Sequence, residues 1–197
     1  MTTKQRGRPR SFDRDAALQR AVLVFWEHGY ENTSVADLTR ALGIAAPSLY
    51  AAFGDKRALF AEVVEAYAAG YGSYGGAAFD QEPTARAAFA RMLREAAEVF
   101  TVPGRPHGCL MITAAVNCGT PEVRDALRER RNANLALFEE RLRRGVAEGD
   151  LAPGNDLCAL ARFYGAVLQG MSQQSRDGAE LADLEAIAET AMKAWPQ

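Results

Sequence analysis

Apolar residues along the chain recur at helical spacing, and no stretch alternates apolar and polar positions with a period of two. Ala17, Leu18, Ala21, Val22 and Phe25 follow the i, i+3, i+4, i+7 pattern of one buried face, which predicts a helix over 13–28. Asp13 suits its N-cap and Gly29 its C-terminal stop. Ser34 opens a second pattern through Val35, Leu38 and Leu42, with Asp37 placed to complete a capping box and Gly43 ending it. Ile44-Ala45-Ala46-Pro47 begins a short third helix, with the proline in the first turn, where its missing N–H is harmless. Leu49 and Phe53 point inward from it, and Gly54-Asp55 ends it and caps the next. Two helices joined by a glycine turn, the second short and exposed, form the helix-turn-helix arrangement for entering a major groove.

The pattern continues from Asp55 through Leu59, Phe60, Val63 and Tyr67 and weakens in the glycine-rich stretch 70–76. Further helices are predicted over 83–100, over about 109–117 after the Pro- and Gly-rich loop 103–108, over 121–148, and over about 156–174 and 179–195. The expected fold is all-α with about nine helices. Its organisation is a basic arm in 1–10, a three-helix helix-turn-helix DNA-binding domain in 11–60, and a larger helical effector-binding and dimerisation domain in 61–197. No run approaches the ~18 apolar residues of a membrane span, and the basic N-terminus leads into a polar segment, so the expected location is the cytoplasm, away from membranes.

Charge changes this picture. The 197 residues carry a formal net charge of -2, which taken whole argues against nucleic acid. Residues 1–60, however, hold nine Lys or Arg against six acids, a balance of +3, leaving -5 on the remainder. Such a split marks a polyanion-binding module joined to an acidic partner. Three widely spaced cysteines fit a reducing compartment better than a disulfide framework.

Phe25, Gly29, Thr33, Leu42-Gly43-Ile44, Ser48-Leu49-Tyr50, Phe53-Gly54-Asp55-Lys56-Arg57 and Leu59-Phe60 together resemble the N-terminal signature of the tetracycline-repressor (TetR) family of bacterial transcription regulators. The resemblance covers roughly residues 12–60. It implies a recognition helix from about Ala46 to Phe53, a Tyr50 that packs on the DNA backbone, and a Lys56 that pairs with a phosphate. Ser48 stands where the family has Thr or Ser. Thr33 and Ser34 lie at the entry to the second helix, where hydroxyls and free N–H groups can meet a phosphate. Ala45, Ala46, Pro47, Ala51 and Ala52 cannot make the bidentate hydrogen bonds that read purines. Base reading therefore falls to methyl contacts, including those of Ala46 and Pro47, and to Ser48, Tyr50 and Arg40. Arg6, Arg8 and Arg10 around Gly7 and Pro9 have the form of a minor-groove hook, with a solvated tail as the bland alternative.

The family resemblance also implies that the last two helices pair with their symmetry mates as a four-helix bundle, giving a homodimer on double-stranded operator DNA. Leu160, Tyr164, Val167, Leu168 and Met171 form one apolar stripe and Leu184, Ile187, Ala191 and Trp195 another, though either stripe can face its own core. Tyr67, Tyr71, Phe89, Met92 and Phe138, with Cys109, Thr113 and Asn117 as nearby polar groups, are the candidates for a pocket taking a small, mostly apolar effector; plain core packing is the competing reading. Cys109 follows His107-Gly108 at a helix start, where the dipole and an imidazolium would favour the thiolate. That raises an electrophile or oxidant sensor against an inert buried thiol. A Cys109–His107 pair is the one conceivable nucleophile, without an orienting carboxylate near it in sequence, so no enzyme, catalytic residue, cofactor or metal site is expected.

Overall fold

A computed structural model describes residues 12–114 and 116–196; the arm arginines Arg6, Arg8 and Arg10 lie outside them. Among the described residues all regular structure is helical: α1 Arg14–His28, α2 Val35–Leu42, α3 Ala46–Phe53, α4 Lys56–Ala69, α5 Tyr74–Gln81, α6 Ala85–Phe100, α7 Leu110–Thr113, α8 Pro121–Glu148, α9 Leu157–Arg176 and α10 Leu181–Lys193. Nine of these make two turns or more and α7 is a single turn.

The caps explain most boundaries. Asp13 accepts the N–H groups of Asp15 and Ala16, Ser34 and Asp37 form the reciprocal capping box, and Asp55, Thr84 and Asp156 each cap their helix through the side chain. Two expectations need correction. The glycine-rich stretch is not merely a weak end of α4, because α5 begins at Tyr74 and runs through Gly75 and Gly76. Tertiary packing overrides the low propensity: Phe79 lies against Phe89 and Phe138 at ring-centroid distances of 5.0 and 5.4 Å. The helix expected over 109–117 stops at Thr113, and Asn117 takes a left-handed φ of 56°.

Two cores join along α4. In the first 60 residues Phe25 stacks with Phe60 and Tyr30 around buried Leu38, Leu49 and Phe53. Beyond them α6, α8, α9 and α10 enclose Phe89, Phe138, Tyr164 and Trp195, whose rings stand 4.9–5.6 Å apart. The loop before α7 is pinned to α9. Gly108 takes φ +74°, and a Cβ there would lie 2.7 Å from the Ser172 carbonyl oxygen, so only glycine fits. This close approach lets the Cys109 N–H donate to Ser172 Oγ at 2.8 Å, while Ser175 Oγ donates to the Phe100 carbonyl at 2.6 Å. The buried serines of α9 thus satisfy the loop that sets Cys109 in place.

Candidate nucleic-acid interface and effector cavity

Helix α3, the expected recognition helix, keeps Leu49 and Phe53 in the core and turns Pro47, Tyr50 and Ala51 outward, with Ala46 and Ser48 half-buried. Tyr50 is half exposed, its ring and hydroxyl open to a partner. Arg40 is exposed and paired with Asp37 at 3.0 Å, within the same helix. Lys56, at the start of α4, lies 4.2 Å over the Tyr30 ring, and burial there lowers the pKa of its ammonium group. Ser34 is exposed, but its hydroxyl is engaged with Asp37. Thr33 is a correction: it is fully buried and its Oγ1 donates to the Gly29 carbonyl at 2.6 Å, so it fastens the end of α1 and is closed to a phosphate.

Sequence reasoning missed Arg14. Its guanidinium lies 4.5 Å over the Phe53 ring, donates from Nε to the Ala52 carbonyl at 3.2 Å, and donates from Nη2 to both carboxylate oxygens of Glu62 of α4 at 2.6 and 2.7 Å. One side chain thereby ties α1, the end of α3 and the middle of α4. A second link joins the two parts of the chain. Glu31 Oε1 accepts the Thr120 N–H at the start of α8 at 2.7 Å and the Cys118 thiol at 3.4 Å. Hydrogen bonds from Thr120 hold the Glu31 carboxyl below the usual carboxylate range. Arg176 of α9 donates to the Glu27 carbonyl at 3.2 Å.

Behind α4 lies a cavity of about 380 Å³ between α4, α5, α7, α8 and α9. Of the eight residues expected to bind an effector, Tyr67, Cys109 and Phe138 line it. Phe89 and Met92 are buried in the core, and Tyr71 packs on Trp26 at 5.3 Å with Arg105 4.9 Å above its ring. Thr113 and Asn117 line a different, polar cleft beside the end of α1. These five are corrected: helical spacing placed them inside the domain but could not say which side faced the void. The walls that sequence missed include Ile112, Arg131, Asn134 and Gln169. A wider groove of about 730 Å³ runs outside, between α4 and α8, rimmed by Asp55, Glu65, Glu122 and Glu129. Cys109 is buried, and burial pushes its thiol pKa up, the reverse of the activation expected from a helix start. His107 meanwhile turns Nδ1 to the Ser175 carbonyl at 3.2 Å.

The expected dimer residues divide. Tyr164, Met171, Leu184 and Trp195 are buried in the protomer's own core and are closed to a partner, a correction that follows from the aromatic cluster. Leu168 lines the cavity and Leu160 is half-buried. Val167 and Ile187 do reach the surface, where with Phe163, Thr190 and Ala194 they line a shallow apolar groove between α9 and α10; Ala191 borders it but is buried, a further correction. Phe163, 41% exposed, was not foreseen.

Residues 17–63 match the model of bacterial regulatory proteins, tetR family, and residues 83–194 match that of a tetracyclin repressor-like C-terminal domain. The HTH-type transcriptional repressor ComR of Escherichia coli (strain K12) is 38% identical over 200 residues, covering 98% of this chain and 94% of that protein. The HTH-type transcriptional repressor BdcR of the same organism is 31% identical, covering 98% and 96%. Among solved structures, a cysteine mutant of the TetR family transcriptional regulator CifR, complexed with 26-bp double-strand operator DNA, aligns with a TM-score of 0.92 and 49% identity over 96% of this chain and 100% of that one. With both parts of the chain matched and relatives alike along its whole length, the chain belongs to the tetR family of bacterial regulatory proteins.

Proposed function

We propose that the chain is a transcriptional repressor that binds double-stranded operator DNA as a homodimer and leaves it when a small, mostly apolar effector enters the cavity behind α4. The observation that carries this reading is that one helix serves both places. Lys56 opens α4 beside the recognition helix, and Tyr67, eleven residues on and about 16 Å along the axis, lines the cavity. Trp26 of α1 packs edge-on against Tyr67 at 4.9 Å, and Arg14 and Glu62 bind α3 to the same helix. An occupant that displaces the Tyr67 end of α4 therefore moves the reading head. A coupling of ~1 to 3 kcal/mol between the sites changes operator affinity roughly 5- to 150-fold.

The relatives described as repressors and the CifR structure on operator DNA support the DNA-binding half of the reading. In this reading residues 11–60 read DNA, residues 61–197 sense and dimerise, and the protein acts in the cytoplasm by binding, without catalysis. Among the described residues no helix is long and apolar enough to cross a membrane. The buried, raised-pKa thiol of Cys109 disfavours a sensor working through that residue. Selection of bound sequences from random DNA tests the proposal. The expected product is a two-fold symmetric site, with Lys56→Ala weakening all sequences alike because its side chain is assigned to a phosphate. A pool that shows no enrichment overturns it.

A further inference from the structure

The cavity is electrostatically one-sided. No Asp or Glu lines it, whereas Arg130 and Arg131 both do, and the acids of this region rim the outer groove between α4 and α8. Arg130 turns toward Glu65 on that outer side. Arg131 forms no ion pair among the described residues and uses one N–H, donating from Nη1 to the Met111 carbonyl at 2.9 Å. Burial lowers the pKa of its guanidinium, so it sits partly stripped of water with most of its fork unspent.

Donors converge beside it. The Tyr67 hydroxyl is buried without a well-formed hydrogen bond, lying against the Cys109 thiol, a weak acceptor, and the Leu110 amide. Tyr74 and Arg131 line the same cavity as that thiol. Burial raises the pKa of both phenols and of the thiol, so all three keep their protons near neutral pH and remain potential donors. A buried hydroxyl without a well-formed hydrogen bond is unfavourable by itself, and so is a partly desolvated cation with no counter-ion among the described residues. Both penalties are relieved by an occupant that brings acceptor oxygens and a negative charge.

We infer that the cavity is built for an amphipathic anion, an apolar body carrying one carboxylate- or sulfonate-like group received by Tyr67 Oη–H and the Arg131 guanidinium. The inference rests on the reading of this cavity as the effector site and names the class of molecule it takes. Phe138, Leu135, Leu168 and Ile112 supply the apolar walls, and about 380 Å³ suits a molecule of two or three rings.

Fluorescence titration with a matched pair of dyes, anilinonaphthalene sulfonate and the phenyl-naphthylamine that lacks its sulfonate, tests this on the full chain. The sulfonate is expected to bind with Arg131→Gln and Tyr67→Phe each weakening it by about tenfold, the size of one charge-assisted hydrogen bond. The neutral dye should change by no more than about twofold in either variant. Arg131→Lys should recover part of the sulfonate affinity. Tyr67→Phe guards against misfolding, because it removes only a hydroxyl without a well-formed hydrogen bond and should leave the melting temperature nearly unchanged. Cys109→Ala should not weaken the sulfonate, whereas a site made to hold a thiolate would answer to that change. Parallel loss of both dyes, or a sulfonate indifferent to Arg131, overturns the anion. Sulfonate bound through Arg131 with operator affinity unaltered keeps the anion site and removes the effector reading. Operator released equally by both dyes does the opposite.

Discussion

Arg14 shows how a single residue holds a geometry that local rules leave loose. Helix α3 has no side-chain hydrogen bond at its N-cap, Ala45, and eight residues are too few to be stable alone. Arg14 compensates at the other end by gripping the Ala52 carbonyl while stacking on Phe53 and donating to both carboxylate oxygens of Glu62. Arg14→Ala is expected to lower unfolding stability by about 1 to 2 kcal/mol, since the pair is partly exposed, and to weaken operator binding by more than that loss of fold explains. Arg14→Lys should recover little, because one ammonium cannot serve a carbonyl, a ring and two carboxylate oxygens together. Thermal melts set beside operator titrations check both, and an operator affinity that merely tracks stability would reduce Arg14 to an ordinary brace. None of this was visible in the sequence, where Arg14 and Ala52 stand 38 positions apart. The same limit misled the reading of Thr33, whose position beside a helix start is plain in the chain but whose burial depends on α1 ending against it.

At the scale of elements, what sequence revealed and what it hid divide along the same physical line. Caps, glycine stops and apolar spacing are local, so α1 to α4, α6, α8, α9 and α10 fall close to their predicted bounds. Helix α5 escaped because its glycines speak against a helix and only packing of Phe79 speaks for it. The start of α8 is a further case of remote capping. Thr120 makes no side-chain cap of its own, and its N–H is satisfied by Glu31 from the α1–α2 loop. Because the folded state depresses the Glu31 pKa, this link is fully present above the ordinary glutamate value of about 4.3 and is lost as pH falls below it. Amide exchange at Thr120 should therefore be protected near neutral pH and lose protection on acidification below that value. Glu31→Gln should show weaker protection that no longer follows pH in this range. A wild-type amide indifferent to pH between neutral and acid would show that the carboxylate is not what holds the two parts together.

The largest scale concerns how two chains would present two reading heads. A single helix-turn-helix covers few base pairs, and the +3 balance of the first 60 residues is a modest attraction on its own, so strong binding depends on linking two heads about 34 Å apart or at a multiple of that spacing. The surface fitted for that link is the groove of Phe163, Val167, Ile187, Thr190, Ala191 and Ala194, where a large ring stands exposed beside small residues that allow helices to approach. The stripes read from sequence lay one helical step too far inward because spacing reports amphipathicity and not the width of the face that the protomer keeps for itself. Tyr164 and Trp195 belong to that inner share. Phe163→Glu together with Val167→Glu should then give a monomer in sedimentation with helix content and cavity dye binding intact, since Phe163 is exposed and meets the aromatic core only at the edge of Tyr164, and Val167 lies at its margin. Operator affinity should fall by about 10²- to 10⁴-fold, the value of a second tethered contact, while binding to a half-site stays nearly unchanged. A double variant that remains dimeric would move the interface off the α9–α10 face. One that becomes monomeric and still holds the full operator tightly would mean that a single head, with its basic N-terminal segment, carries the affinity unaided.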